Sequence, residues 1–153
     1  MAISNAVTRV LLIILLTGVM AGCYPERCSF VKSEFMIENW KGSVPKHGIL
    51  YRYKKGSNFS VLEQRSEDDF NAKISTPDLG YPPYLIVHFT GYEKFPTNAD
   101  YKLVLDNKVE YRAHDLKPGY AKYGCRFYEG KINNCDITGG MLSVPESCGK
   151  PVK

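Results

Sequence analysis

Short runs of alternating apolar and polar residues, interrupted by Gly, Pro, Asn and Asp, make up the chain from Ser29 onward. A period of two residues is that of a half-buried β-strand, and nothing in the pattern indicates a long amphipathic helix. In Gly48–Lys54, for example, Ile49, Tyr51 and Tyr53 fall on one face. The runs recur about every ten residues, which predicts an all-β domain: a single antiparallel β-sandwich of immunoglobulin-like type, or a small barrel, with about seven to nine short strands.

The clearest local prediction is a β-hairpin. Asp100–Leu105 and Val109–His114 both alternate, and Asp106-Asn107-Lys108 lies between them. Asp and Asn tolerate the positive φ values that a tight hairpin turn requires. The other predicted strands are Phe30–Ile37, Gly48–Lys54, Asn58–Gln64, Ala72–Ser75, Tyr84–Thr90, Lys122–Tyr128 and Ile137–Val144.

The first 22 residues have the pattern of an export signal. One basic residue, Arg9, precedes an unbroken apolar run from Val10 to Leu16, and the segment ends in Met20-Ala21-Gly22-Cys23. A charged start, a short apolar core and small residues at the end are typical of a secretory signal, and the apolar stretch is shorter than the ~18–20 residues of a membrane-spanning helix. The last four residues resemble the lipobox of bacterial lipoprotein precursors, which predicts that Cys23 is lipidated.

This reading divides the chain into a lipoprotein signal peptide (1–22), a lipidated N-terminus with a short tether (23–28) and a β-sandwich domain (29–153). Several acyl chains on one residue would give stable membrane attachment. Resemblance to lipoproteins of the outer membrane favours that membrane, with the domain facing the periplasm, because Tyr24 stands where an Asp usually retains such proteins in the inner membrane. The tether would reach about 17 Å at ~3.4 Å per residue.

Four cysteines remain in the exported domain when Cys23 is set aside: Cys28, Cys125, Cys135 and Cys148. An even number of cysteines in an oxidising compartment predicts two disulfides, and four cysteines allow three pairings. We favour a short closure between Cys125 and Cys135 together with a long closure between Cys28 and Cys148. A zinc site is the competing interpretation, but no Cys-x-x-Cys pair is present and the histidines have no ligand-like spacing.

Catalytic motifs are missing from the sequence, which therefore predicts a protein that is not an enzyme and needs no cofactor or metal. There is no Gly-x-Ser-x-Gly elbow, no His-Glu-x-x-His and no phosphate-binding or dinucleotide loop. His88 alternates with apolar residues and is expected on the outer or rim side of a sheet. His114-Asp115 is expected where a strand meets a turn leading to Pro118-Gly119.

The charge pattern gives no indication of a nucleic-acid partner. The chain has 20 Lys and Arg residues against 16 Asp and Glu, a formal net charge of +4. These charges are spread along the chain rather than grouped in a block of like sign.

Tyrosine is abundant, with 11 residues in the chain. Tyr combines a large rigid surface with a hydrogen-bonding tip, and it is enriched in surfaces that recognise proteins, although it is also a common half-buried strand residue. Several tyrosines lie near predicted turns, and these are the candidate partner-binding residues: Tyr81, Tyr84, Tyr92, Tyr120 and Tyr123.

The arrangement of these segments along the sequence resembles that of the small periplasmic lipoproteins assigned as type VI secretion immunity proteins in enteric bacteria. The resemblance covers the lipobox Met20–Cys23, the hairpin region Ala99–Asn107 with Val109–Arg112, and the segment Asn134–Gly140, but it does not extend to Cys125 and Cys148. It implies a β-sandwich that binds and blocks a toxin delivered to the periplasm.

We therefore expect a membrane-anchored binding lipoprotein with a protein partner, most specifically an immunity protein. Two alternatives stay open. One is an inhibitor of host lysozyme, although the inhibitory loop of that family is not recognisable here. The other is a structural or assembly lipoprotein of an envelope secretion or pilus machine.

Overall fold

A computed structural model of the chain describes residues 28–32, 34–67, 70–76, 82–91, 94–121, 124–137 and 142–152. The lipidation site predicted at Cys23 lies outside these residues. Within them the chain forms strands and a single 3-10 turn at Glu146–Cys148. The strands are β1 (Phe30–Lys32), β2 (Glu34–Glu38), β3 (Gly48–Lys54), β4 (Leu62–Ser66), β5 (Phe70–Ser75), β6 (Tyr84–Phe89), β7 (Lys94–Pro96), β8 (Ala99–Leu105), β9 (Val109–Ala121), β10 (Gly124–Ile132), β11 (Cys135–Asp136), β12 (Leu142–Pro145) and β13 (Lys150–Pro151).

The strands form two packed sheets and a small ribbon. The large sheet has the order β11-β10-β9-β8-β3-β4, with β13 added beside β9; the small sheet has the order β12-β2-β6-β5; and β1 pairs with β7. Neighbouring strands are antiparallel except for β12 and β2, which run parallel. The all-β prediction is confirmed. Among the residues described, no helix has the length and apolar character to cross a membrane.

The core lies between the inner faces of the two sheets. Phe35 and Val87 of the small sheet and Leu50 and Leu103 of the large sheet are almost completely buried. They belong to one apolar cluster that spans both sheets. Burying each such side chain contributes about 1.5–3 kcal/mol to folding, so the alternation read in the sequence is what holds the sheets face to face.

The predicted hairpin is confirmed. Strands β8 and β9 are antiparallel neighbours, with Leu105 opposite Val109. Asp106 and Asn107 have φ values of 49° and 53°, as the two central residues of a type I′ turn require. The Asp106 carboxylate also accepts hydrogen bonds from the backbone N–H groups of Lys46 and His47, at 2.9 and 2.8 Å.

The turn predicted after His114-Asp115, leading to Pro118-Gly119, is wrong, because β9 continues through all four residues to Ala121 and pairs there with β10. Asp115 has a φ of 55°, and the register between β9 and β10 shifts nearby, so the strand bends without ending. The register with β8 stops at Ala113. Pro118 therefore lies on a stretch that has left β8, where its missing N–H group is tolerated.

All four domain cysteines are bridged, but the pairing we favoured is wrong. The disulfides join Cys28 to Cys125 and Cys135 to Cys148. Strand β11 folds back antiparallel to the end of β10 and holds Cys135 opposite Ile132, at the other end of β10 from Cys125. Cys125 instead lies near the start of β10, which packs against the strand that follows Cys28.

Candidate functional site

The outer face of the large sheet carries alternating aromatic and basic side chains. Tyr51 of β3 lies opposite Lys102 of β8 on one side and Arg65 of β4 on the other. Lys102 in turn lies opposite Arg112 of β9. Since side chains opposite one another in a sheet point to the same face, these four residues share the solvent side. We call the following set the aromatic–basic face: Tyr51, Tyr53, Phe59, Arg65, Lys102 and Arg112.

The cations of this face lie over its aromatic rings. The Lys102 ammonium is 4.3 Å from the centre of the Tyr51 ring and 5.9 Å from that of Tyr53. The guanidinium of Arg65 is 5.9 Å from the Tyr51 ring on its other side. Cation–π contacts at exposed sites contribute about 0.5–1 kcal/mol each, enough to restrict these long side chains to one region.

Phe59 reaches this face from the loop between β3 and β4. Its ring packs edge-on against Tyr53, with centroids 5.3 Å apart, and the guanidinium of Arg112 is 5.5 Å from its centre. Asn58 and Phe59 have φ values of 50° and 59°. This left-handed conformation is unfavourable for a bulky residue and costs about 1–3 kcal/mol, which the surrounding contacts offset.

Two contacts of the same loop fix its position across the sheet. The Lys55 ammonium donates a 2.7 Å hydrogen bond to the Leu116 carbonyl oxygen of β9. The Gly56 N–H group donates a 2.8 Å hydrogen bond to the Asp100 carboxylate of β8. The loop is therefore tied to two strands, and Phe59 is held in place before any partner arrives.

The three cations of the face differ in whether a carboxylate among the described residues pairs with them. Arg65 forms a 2.6 Å ion pair with Glu67, and Arg112 forms a 2.9 Å pair with Glu110. A hydrogen bond with Tyr51, helped by the Glu67 carboxylate, raises the pKa of Arg65, so this group keeps its charge. Among the described residues no carboxylate pairs with Lys102. In the described part of the chain its charge faces the Tyr51 and Tyr53 rings and no acid, which leaves it available to an incoming anion.

Asp100 lies beneath the loop as a buried acid. The residue is only 3% exposed, one carboxylate oxygen accepts the Gly56 hydrogen bond, and the other has no hydrogen-bond partner among the described residues. Burial is the largest effect and raises the pKa of Asp100, against the opposing influence of the Gly56 hydrogen bond and of His114 and Lys55. An ionised Asp100 is therefore a source of instability at neutral pH.

Replacing Asp100 with Asn is expected to increase the free energy of unfolding at pH 7 by about 1 kcal/mol, because a neutral amide costs less to bury than an incompletely paired carboxylate. The folded state binds the Asp100 proton more tightly than the unfolded chain does. The contribution of Asp100 to the stability of the wild type should therefore decrease as pH rises from the unfolded pKa of about 3.9 through the higher folded pKa. Urea titrations between pH 4 and pH 7 measure this slope, which the substitution removes; Asp136→Asn, at an exposed site, should leave it unchanged.

A cavity of about 430 Å³ lies beside the aromatic–basic face, at the end of the sheet near the β8–β9 turn. Ile49 and Val104 line it from the same outer face, and Glu67 and Asn107 border it. The face therefore combines flat aromatic surface, fixed positive charge and an adjoining recess. This composition suits a binding surface, because Tyr and Arg dominate the energetics of protein interfaces when they are held in place.

The tyrosines that we predicted as partner-binding residues are only partly described. Tyr81, Tyr92 and Tyr123 lie outside the described residues. Tyr84 begins β6 in the small sheet, and Tyr120 is exposed near the end of β9 in the large sheet. The two described members therefore belong to different sheets, and neither is part of the aromatic–basic face.

His88 and His114 lie in strands, where their neighbours are ordinary strand and hydrogen-bond partners. His88 lies opposite Glu34 and Asn71 on the outer side of the small sheet, as the alternation predicted. His114 contacts the Asp115 carboxylate at 2.8 Å and the Asn133 carbonyl oxygen at 3.2 Å. In the parts of the chain that the structure describes, no group of three or more His, Cys, Asp or Glu side chains is arranged to hold a metal ion.

Comparison with known proteins identifies no family and no function for this chain. The chain matches no protein-family model, no curated protein and no solved structure.

Proposed function

We propose that this chain is a lipid-anchored periplasmic binding protein of the bacterial outer membrane, and most specifically an immunity protein that binds and neutralises a secreted antibacterial toxin. The observation that carries the proposal is the aromatic–basic face, in which Lys102 lies over the Tyr51 ring without a carboxylate partner in the described residues. The export signal, the lipobox at Cys23 and the two disulfides support a location outside the cytosol.

The partner in this proposal has an acidic surface. Lys102 and Arg112 are adjacent across β8 and β9 and present two cationic side chains from rigid strands, of which Arg112 is paired with Glu110 and Lys102 has no carboxylate partner among the described residues. Charge complementarity of this kind accelerates association and excludes partners of the same sign. Phe59 and Tyr51 supply apolar ring surface next to these charges, and their positions are already fixed by contacts within the protein, which lowers the entropic cost of binding.

Reversing the two central charges, with Lys102→Glu and Arg112→Glu, is expected to weaken toxin binding at least about tenfold, because each acid would repel the acidic surface that the wild type attracts. The measurement is calorimetry with the purified toxin encoded by the neighbouring gene, together with growth rescue on co-expression. Lys73→Glu with Lys94→Glu is the matched control, since it changes net charge equally at exposed sites on β5 and β7.

Full protection by the Lys102→Glu/Arg112→Glu variant, at unchanged affinity, would exclude the aromatic–basic face as the binding surface. Failure of the wild-type protein to rescue growth would argue against the immunity role itself. Inhibition of lysozyme by the purified protein would favour the lysozyme-inhibitor alternative. Stable recovery with envelope complexes when no toxin gene is present would favour an assembly role.

A further inference from the structure

Exposed aromatic side chains are concentrated at one disulfide. In the described part of the chain the large aromatic residues with the greatest exposure are Tyr120 at 64%, Phe30 at 52% and Tyr128 at 49%. Phe30 is two residues from Cys28, and Tyr120 lies directly opposite Cys125 across the β9–β10 pair. Tyr128 follows three residues after Cys125 on β10, and its ring lies against Gly119, on the face of the β9–β10 pair opposite to that of Tyr120. We call Phe30, Tyr120 and Tyr128 the exposed aromatic cluster.

The Cys28–Cys125 disulfide also marks where the folded domain receives its N-terminal tether. The bond fixes Cys28 to the start of β10, next to the register pair Gly124–Ala121 at the end of the hairpin. Cys23 is five residues earlier in the sequence, and five residues extend at most about 17 Å. A lipid on Cys23 would therefore hold this end of the domain within that distance of the bilayer surface.

The side chains at this end suit the boundary between water and lipid. Tyr and other amphipathic aromatic residues prefer the headgroup level of a bilayer, where the ring is in an apolar layer and the hydroxyl stays hydrated. Arg126 lies opposite Gly119 on the same hairpin, and no carboxylate pairs with it among the described residues. Its charge complements the phosphate groups of phospholipids.

We propose that the exposed aromatic cluster and Arg126 form a second membrane contact, in which the β9–β10 strands meet end-on the phospholipid surface that holds the lipid anchor, with Tyr120 on one face and Tyr128 and Arg126 on the other. The inference depends on the lipid anchoring in the proposed function but not on the identity of the toxin. It assigns Tyr120 to a lipid surface and leaves the aromatic–basic face as the surface for the protein partner. The contact fixes the domain's orientation, because a single point of attachment does not define how the domain is rotated relative to the membrane.

The test places a fluorescent reporter at the hairpin end of the full-length lipoprotein. Tyr120→Trp and Tyr84→Trp variants are reconstituted in phosphatidylethanolamine–phosphatidylglycerol vesicles with or without brominated acyl chains. The native Trp40 is buried and donates a hydrogen bond to the Ser43 carbonyl oxygen, so it supplies a constant background. We expect brominated lipid to reduce the added emission at position 120 at least twofold and to leave that at position 84, on the outer face of the small sheet, unchanged.

Equal quenching at the two positions in vesicle-bound protein would overturn the second membrane contact while leaving the anchor intact. Protein that stays in the aqueous phase, with an unmodified Cys23 by mass spectrometry, would overturn both the anchor and this inference. In the same full-length chain, Phe30→Ser with Tyr128→Ser should leave the protection of growth against the toxin unchanged. Loss of rescue with normal folding would assign this surface to the protein partner instead.

Discussion

Replacing Cys28 and Cys125 together with Ser is expected to lower the free energy of unfolding by about 4–5 kcal/mol. The bond joins residues 97 positions apart, so its loss restores a large part of the unfolded chain's conformational freedom. This is comparable to much of the net stability of a typical small domain, and the variant should be partly unfolded near 37 °C. Urea unfolding of the purified variant at 25 °C, against the oxidised wild type, measures the difference.

The second disulfide provides the matched control. Cys135 and Cys148 are 13 positions apart, so their joint replacement is expected to cost less, about 3 kcal/mol. Neither of these double variants should contain a free thiol among the domain cysteines after denaturation. Peptide mapping of the oxidised wild type that links Cys125 to Cys135 would contradict the connectivity, whatever the stabilities of the variants.

The sequence predicted that the domain cysteines are bridged but did not predict which of them pair. The even number of cysteines and the export signal can be read directly from the sequence, and together they predicted that all four domain cysteines are bridged. Which cysteines meet depends on where non-adjacent strands run. The fold-back of β11 moves Cys135 away from Cys125, and that fold-back follows from tertiary pairing rather than from spacing.

The β8–β9 hairpin was predictable because its cause is local: two residues that tolerate positive φ lie between alternating runs. The aromatic–basic face was not. Alternation in β3 places Ile49, Tyr51 and Tyr53 together as the more apolar set, yet Leu50 of the same strand is the residue buried between the sheets. Tyr51 can lie outside because its ring is covered by Lys102, a residue about fifty positions away in the chain.

Asn133 is another residue whose role no pattern in the sequence predicted. It is buried after β10, its φ is 56°, and its side chain connects three segments. Its amide nitrogen donates to the carbonyl oxygens of Glu110 and Cys148, at 3.0 and 2.6 Å, and its amide oxygen accepts from the Arg112 N–H group at 3.1 Å. The residue thus attaches β9 to the 3-10 turn that carries the second disulfide.

Replacing Asn133 with Gly is expected to lower the free energy of unfolding by about 2–3 kcal/mol, because buried carbonyl and N–H groups lose their partners while glycine still accepts the positive φ. Replacing it with Ala should cost about 1–2 kcal/mol more, since a Cβ is strained in the left-handed region. Chemical denaturation of both variants separates the hydrogen-bond contribution from the backbone contribution.

The adjacent Asn134 is the control for this pair, because it is exposed and its side chain accepts a long, 3.5 Å hydrogen bond from the exposed Lys150 ammonium. Asn134→Ala should change stability by less than about 0.5 kcal/mol, as exposed substitutions usually do. Asn133→Asp should be as harmful as Asn133→Gly at pH 7, since a carboxylate would face two carbonyl oxygens in place of donating to them. If Asn133→Gly and Asn134→Ala proved equally mild, the three segments would be held together without the Asn133 side chain, by the disulfide between Cys135 and Cys148 and by the pairing of β13 with β9.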